Sequence, residues 1–142
     1  MANNKWRIKE AVKIAEEAGL KALRTGAEAI LTEAIDEAPI DTGTLRRSGT
    51  VTVGKLPDSA RIYEAAEAGN EMKDAFPEKI GKEKAVYISF NTPYARRQHE
   101  ELDYEHPRGG KAKYLETPFN RSKEKVLKYA DKQIRKALRD AK

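Results

Sequence analysis

Apolar residues recur every three to four positions between residues 4 and 38, and this spacing predicts one long amphipathic helix. The stripe consists of Ile8, Val12, Ala15, Gly19, Leu23, Ala27, Ile30 and Ala34. At about 1.5 Å per residue such a helix spans about 50 Å, more than the diameter of a domain of this size. We therefore expect part of it to project beyond its own core. Gly19 and Gly26 allow a kink or a close approach by another backbone, or are simply tolerated.

A second helical pattern is predicted over residues 117–140. Thr117 is a favourable N-cap residue, and Pro118 suits the first helical position. The helical period is then kept by Phe119, Val126, Ala130, Ile134 and Leu138.

The segment between the two helices favours short strands and turns. Residues 50–53 and 85–90 alternate as strands do, and residues 61–65 form a weaker strand pattern. Pro39 ends the first helix, because the residue before a proline disfavours the α region. Residues 39–49 predict a tight loop with one helical turn, in which Gly43 takes a positive φ or makes a backbone contact that excludes a Cβ.

The remaining segments are predicted as a long surface loop over residues 67–84, a short helix over 94–101 and a further loop over 102–113. The whole is α+β: a long N-terminal helix, a small and mainly antiparallel sheet, and a long C-terminal helix. The length of 142 residues fits one domain spanning residues 1–142.

The amino-acid composition excludes several classes of chemistry. There are no cysteines, which excludes disulfides, thiol catalysis and Cys-ligated metal sites. No apolar run approaches the roughly 20 residues of a membrane span, so we expect no membrane partner. The net charge is +5, and the basic excess is confined to residues 118–142, which hold nine basic and three acidic residues. That excess fits a solvated face, an acidic protein surface or nucleic acid.

The densest polar cluster, residues 99–106, holds both histidines and four carboxylates. A zincin motif would need histidine where Asp103 stands, and a P-loop would need glycine where Glu105 stands. No G-x-S-x-G motif is present. We therefore expect no catalytic residue, no cofactor and no metal, and we expect His99 and His106 to hydrogen-bond protein groups. A metal-dependent enzyme is the least favoured alternative.

Two stretches together resemble a known family. The first runs Ala38-Pro-Ile-Asp-Thr-Gly-Thr-Leu-Arg-Arg-Ser48, directly after the long helix, and the second combines Pro93-Tyr-Ala95, His99-Glu100 and residues 104–118. In their order and spacing they resemble the minor capsid proteins of the neck, or tail-completion, family of tailed phages. The second stretch is similar to the form found in phages and prophages of Gram-positive hosts.

The resemblance implies fold or assembly roles for the motif positions. Gly43 would serve the turn, and Leu45 would anchor the loop in the core. Tyr94, His99 and His106 would organise the loop before the last helix. The complete set of motif positions is Pro39, Asp41, Thr42, Gly43, Leu45, Arg46, Tyr94, His99, Glu100, His106, Pro107, Gly109, Gly110, Leu115 and Pro118.

The resemblance also implies a structural role in the virion, at the head–tail connector. Such a protein forms a homo-oligomeric ring, assembled in the bacterial host cytoplasm, between head-completion or adaptor proteins and the tail-terminator protein. Nonspecific contact with phage DNA in the lumen is compatible with that position. Two alternatives remain open: a tail terminator capping the tail tube, and a nucleic-acid-associated protein that uses the basic last helix.

Overall fold

A computed structural model describes residues 2–40, 43–70, 80–101, 110 and 112–141 of the chain. Within these residues the elements are α1 (Ala2–Glu37), α2 (Thr44–Arg47), β1 (Gly49–Val53), α3 (Ser59–Glu67), β2 (Val86–Phe90), α4 (Ala95–Glu100) and α5 (Glu116–Asp140). The predicted α+β class, with a long helix at each end of the chain, is confirmed.

The sheet consists of β1 and β2, which pair antiparallel with Gly49 opposite Phe90 and Val53 opposite Val86. It packs on α1, and the buried Leu31 of that helix lies against the start of β1. A Cβ added to Gly49 would lie 2.9 Å from Leu31 Cδ1. The absence of a side chain at Gly49 therefore lets the sheet approach the helix closely.

Helix α5 packs along α1 in the opposite direction. Gly26 faces Val126, Gly19 faces Ile134, and Arg121 reaches Glu33. The two glycines predicted to allow a close approach therefore do so, although side chains of α5, and not another backbone, occupy the space.

The predicted strand over residues 61–65 is wrong, because these residues lie inside α3. Asp58 caps this helix, and its side chain accepts a hydrogen bond from the backbone nitrogen of Arg61 at 3.3 Å. Ile62 and Ala66, four positions apart, are the buried residues of α3. The helical period and the cap together override the short β-like run.

The predicted N-cap of the last helix is also wrong. Helix α5 begins at Glu116 with Leu115 as its N-cap residue, and the backbone nitrogen of Thr117 donates to the carbonyl of Lys113 at 3.0 Å. Pro118 thus lies in the first turn, where its missing N–H leaves no intrahelical bond unmade. Of the predicted loops, residues 71–79 and most of 102–113 lie outside the described residues.

Candidate functional site

The first motif segment forms the turn that follows α1. Helix α1 ends at Glu37, two residues before Pro39. Gly43 has φ 84° and precedes the single turn of α2, as the sequence predicts. Leu45 is 4% exposed and reaches the core, which also agrees with the prediction. Asp41 and Thr42 lie outside the described residues.

Two consecutive arginines of α2 bind the ends of two helices. Arg46 donates from Nε to the carbonyl of Ala38 and from Nη2 to the carbonyl of Asp36, each at 2.8 Å. Arg47 donates from Nε to the carbonyl of Ala66, in the last turn of α3, at 2.9 Å. Cations are favourable at helix C-termini, where carbonyls lack intrahelical donors. Arg46 belonged to the predicted set, whereas the role of Arg47 was missed.

Tyr114 is the centre of the core cluster that joins the two motif segments. Its ring packs with Ala38, Leu45 and Ala95, and Tyr94, Leu115 and Phe90 lie against this group. The ring is 2% exposed, and its hydroxyl donates to the carbonyl of Ala95 at 2.8 Å. Burial raises the pKa of Tyr114 well above its usual range.

His99 connects α4 to the start of α5. Its Nε2 accepts a hydrogen bond from the backbone nitrogen of Glu116 at 3.1 Å, and its Nδ1 lies 2.7 Å from Glu100 Oε1. An Nε2 that accepts leaves the proton on Nδ1, where it is donated to Glu100. His99 therefore satisfies one of the first backbone N–H groups of α5, and it hydrogen-bonds protein groups as predicted.

Glu100 receives a second donor, Lys113, which also lies 3.2 Å from Glu116. The hydrogen bond from Lys113 lowers the pKa of the Glu100 carboxyl most, and the hydrogen bond from His99 lowers it further. Within the described residues no three His, Asp or Glu side chains are grouped as metal ligands. His106, whose role in this loop was predicted, lies outside these residues, as do Pro107 and Gly109.

Gly110 brings the second motif segment into direct contact with the first. It has φ 88°, and a Cβ added there would lie 2.4 Å from the carbonyl oxygen of Ala38 and 2.5 Å from Pro39 Cα. Only glycine fits this approach without moving the backbone. The motif positions among the described residues thus meet at one junction between the end of α1 and the start of α5.

A buried polar network beside this junction was missed in the sequence. Ser48 Oγ donates to the carbonyl of Leu45 at 2.7 Å and accepts from the backbone nitrogen of Asn91 at 3.0 Å. The Asn91 side chain donates to the carbonyl of Ser48 at 2.9 Å and accepts from Ser59 Oγ at 2.8 Å. The network ties the start of β1, the end of β2 and the start of α3. In the sequence, this network was indicated only by the polar residues at the strand ends.

The surface of the helix pair has two further features. Helix α1 extends past the end of α5, and Ile8 and Val12 near its start are 64% and 50% exposed. On α5, five cationic side chains spaced three or four positions apart are exposed. None of the helices in the described part of the chain is both long and apolar enough to cross a membrane.

A family model with the description "Bacteriophage HK97-gp10, putative tail-component" matches residues 5–96. This range runs from α1 to the start of α4 and covers more than half of the chain. The chain belongs to the HK97-gp10-like family. No curated protein and no solved structure gives a significant match.

Membership of the HK97-gp10-like family confirms the resemblance to phage neck and tail proteins. It establishes a structural component of the phage tail or neck, and so a virion protein, and it favours a structural over an enzymatic role. The matched range contains the whole first motif, including Gly43, Leu45 and both arginines of α2. It ends before His99, so α5 and the part of the second motif that follows Ala95 lie beyond it.

Proposed function

We propose that this HK97-gp10-like chain is a component of the head–tail connector, forming a ring that joins the head-completion proteins to the tail. The observation that carries the proposal is the family match over residues 5–96, a family of phage tail components. The neck position follows from the resemblance of the two motif segments to tail-completion proteins. The two segments meet at the junction around Tyr114, and this contact supports a fold shared with tail-completion proteins.

The uncovered end of α1 supports self-association. Gly26 faces Val126 and Gly19 faces Ile134, and extending this register brings Asp140, the last residue of α5, level with about residue 13 of α1. The first helix therefore overshoots by about 16 Å, as its length predicts.

The overshooting end continues the contact face of α1. Ile8 and Val12 precede Gly19 by eleven and seven positions, spacings that keep them on the side of α1 that packs against α5. Past the end of α5 this apolar face has no cover from the described residues, and both side chains are at least half exposed. In a closed ring each subunit presents two different complementary patches, so the next copy can cover this face.

Replacing one of these residues by aspartate tests the ring. Ile8→Asp should leave stability within about 0.5 kcal/mol of wild type, because the site is exposed, yet prevent ring closure. Leu127→Asp is the matched control, since Leu127 is a similarly exposed residue of α5 at 61%. The gene for this protein is deleted from the phage that encodes it, and each variant is supplied from a plasmid.

Deletion should give filled or leaking heads and separate tails, while heads and tails themselves assemble. Wild-type and Leu127→Asp chains should restore joined particles, whereas Ile8→Asp should not. Full complementation by Ile8→Asp would exclude this end of α1 from the subunit contacts. Normal, infectious particles without the gene would exclude the connector function altogether.

The family description, which names a tail component, also supports the alternative role of tail terminator. A protein that caps the tail tube limits its growth, so its deletion should give tails of irregular length. A connector ring acts after the tail is complete, so tails should keep their normal length. Measuring the length of the free tails in the same deletion experiment separates the two roles.

A further inference from the structure

Helix α5 carries a row of exposed cations along one side. These side chains are three or four positions apart, which places them on one side of the helix. They are Lys125, Lys128, Lys132, Lys136 and Arg139, and all five are exposed. From first to last they span about 21 Å. We call these five residues the basic stripe.

The basic stripe is not neutralised by the chain's own acids. Among the described residues none of its five members makes an ion pair, although other cations nearby do. Arg135 pairs with Asp131 at 3.1 Å, and Arg121 lies 3.3 Å from both Glu33 and Glu37 of α1. Asp131, Glu33 and Glu37 are therefore paired with cations outside the basic stripe.

The stripe is held on a rigid support. The opposite face of α5 packs on α1, with Val126 against Gly26, Ile134 against Gly19 and Ala130 buried between them. The Cβ atoms of the five residues are thus held at fixed positions along a rigid helix. A row of cations held in place loses less freedom on binding a polyanion than the same residues on a flexible tail.

We propose that the basic stripe binds the phosphate backbone of double-stranded nucleic acid without sequence preference. A duplex carries one negative charge per about 1.7 Å of its axis, so a rod about 21 Å long meets several phosphates. Four of the five side chains are lysines, which act as point charges toward phosphate. Contacts of this kind position a protein on a duplex but read no sequence.

An acidic protein surface is the less favoured partner. Protein interfaces are enriched in aromatic residues, methionine and arginine at their centre and depleted in lysine. The basic stripe consists of four lysines and one arginine. Its composition therefore fits a polyanion backbone better than a protein.

The test uses the full-length purified chain and two fluorescent DNA duplexes of unrelated sequence, with fluorescence anisotropy from about 50 to about 200 mM salt. If all five cations meet phosphates, the slope of log K against log salt approaches about −4.5. Both duplexes should bind equally. Replacing Lys125, Lys128, Lys132 and Lys136 by glutamine should weaken binding at least tenfold at about 50 mM salt and remove up to about 3.6 from the slope.

The matched control replaces four exposed cations of α1, namely Lys9, Lys13, Lys21 and Arg24, by glutamine. Both variants fall from a net charge of +5 to +1, a loss of four charges each. Thermal melting by circular dichroism checks that both fold. The control should bind DNA within about threefold of wild type, because its cations lie outside the basic stripe.

Three results would overturn the proposal. Equal losses in the two variants would mean that only net charge matters. No duplex binding at about 50 mM salt would leave the stripe as a solvated face. Polyglutamate binding as tightly as DNA, with the same dependence on the stripe lysines, would assign the surface to an acidic protein.

Discussion

Gly26 is predicted to resist the substitution that normally stabilises a helix. Alanine at a helical glycine gains about 1 kcal/mol from helix propensity. At Gly26, however, an added Cβ would lie 2.4 Å from Val126 Cγ1, 2.7 Å from Cγ2 and 3.1 Å from Cβ. Ordinary carbon contacts are about 3.5–4.0 Å. The methyl group therefore enters space that Val126 already fills.

The clash cannot be relieved by rotating Val126. Both of its methyl groups are too close, and a β-branched side chain in a helix is held in one rotamer. The helices must instead separate by roughly 1 Å, which forfeits about a quarter to a half of each dispersion contact nearby. Overpacking of this kind costs about 1–3 kcal/mol. After the gain in propensity, Gly26→Ala should destabilise the protein by up to about 2 kcal/mol.

Urea denaturation of four proteins measures the effect: wild type, Gly26→Ala, Val126→Ala and the double variant. Val126→Ala removes the clashing methyl groups, so the double variant should be more stable than the sum of the single changes by about 1–3 kcal/mol. Gly19→Ala is the matched control. Its added Cβ would meet only the mobile end of Ile134, at 3.2 Å, so this variant should be neutral or stabilised. A Gly26→Ala protein stabilised by about 1 kcal/mol would refute the close packing of α1 on α5.

Two further predictions concern the motif junction. Gly43→Val should cost about 1–3 kcal/mol, because φ is 84° there, and Gly43→Asn should cost less, since asparagine tolerates this region; equal melting temperatures for the two variants would count against backbone strain. Tyr114→Phe should cost about 1 kcal/mol at neutral pH by removing the buried hydrogen bond from the Tyr114 hydroxyl to the Ala95 carbonyl. Burial raises the pKa of Tyr114, so the folded state holds its proton longer and wild-type stability should fall as the pH rises above about 10. The melting temperature of Tyr114→Phe should fall less than that of wild type over that pH range. An equal fall in the two proteins would contradict a contribution from Tyr114 ionisation.

The long elements could be predicted because their patterns are local. The apolar period of α1 and α5, the alternation in β1 and β2, and the proline after α1 each act within a few residues. The positive φ of Gly43 also followed from the turn composition, whereas the burial of Leu45 followed from the family resemblance. Helix α3 was mistaken for a strand because a run of five residues fits both periods. Its cap, Asp58, was the signal that would have decided it.

The contacts between segments distant in sequence could not be predicted. Arg46 and Arg47 bind helix ends that lie eight or more and nineteen positions away, respectively. Ser48 and Asn91, 43 positions apart, find each other only once β1 and β2 have paired. Nothing in the local sequence distinguishes these polar residues from surface residues. Their partners are set by the tertiary fold.

The position of this chain in the virion most directly tests the proposed connector function. A cryo-electron microscopy map of the complete phage, with α1 and α5 fitted as an antiparallel helix pair, measures it. We expect a closed ring of this chain on the particle axis between head and tail. Density for the chain in the icosahedral shell or at the distal tail tip would contradict it.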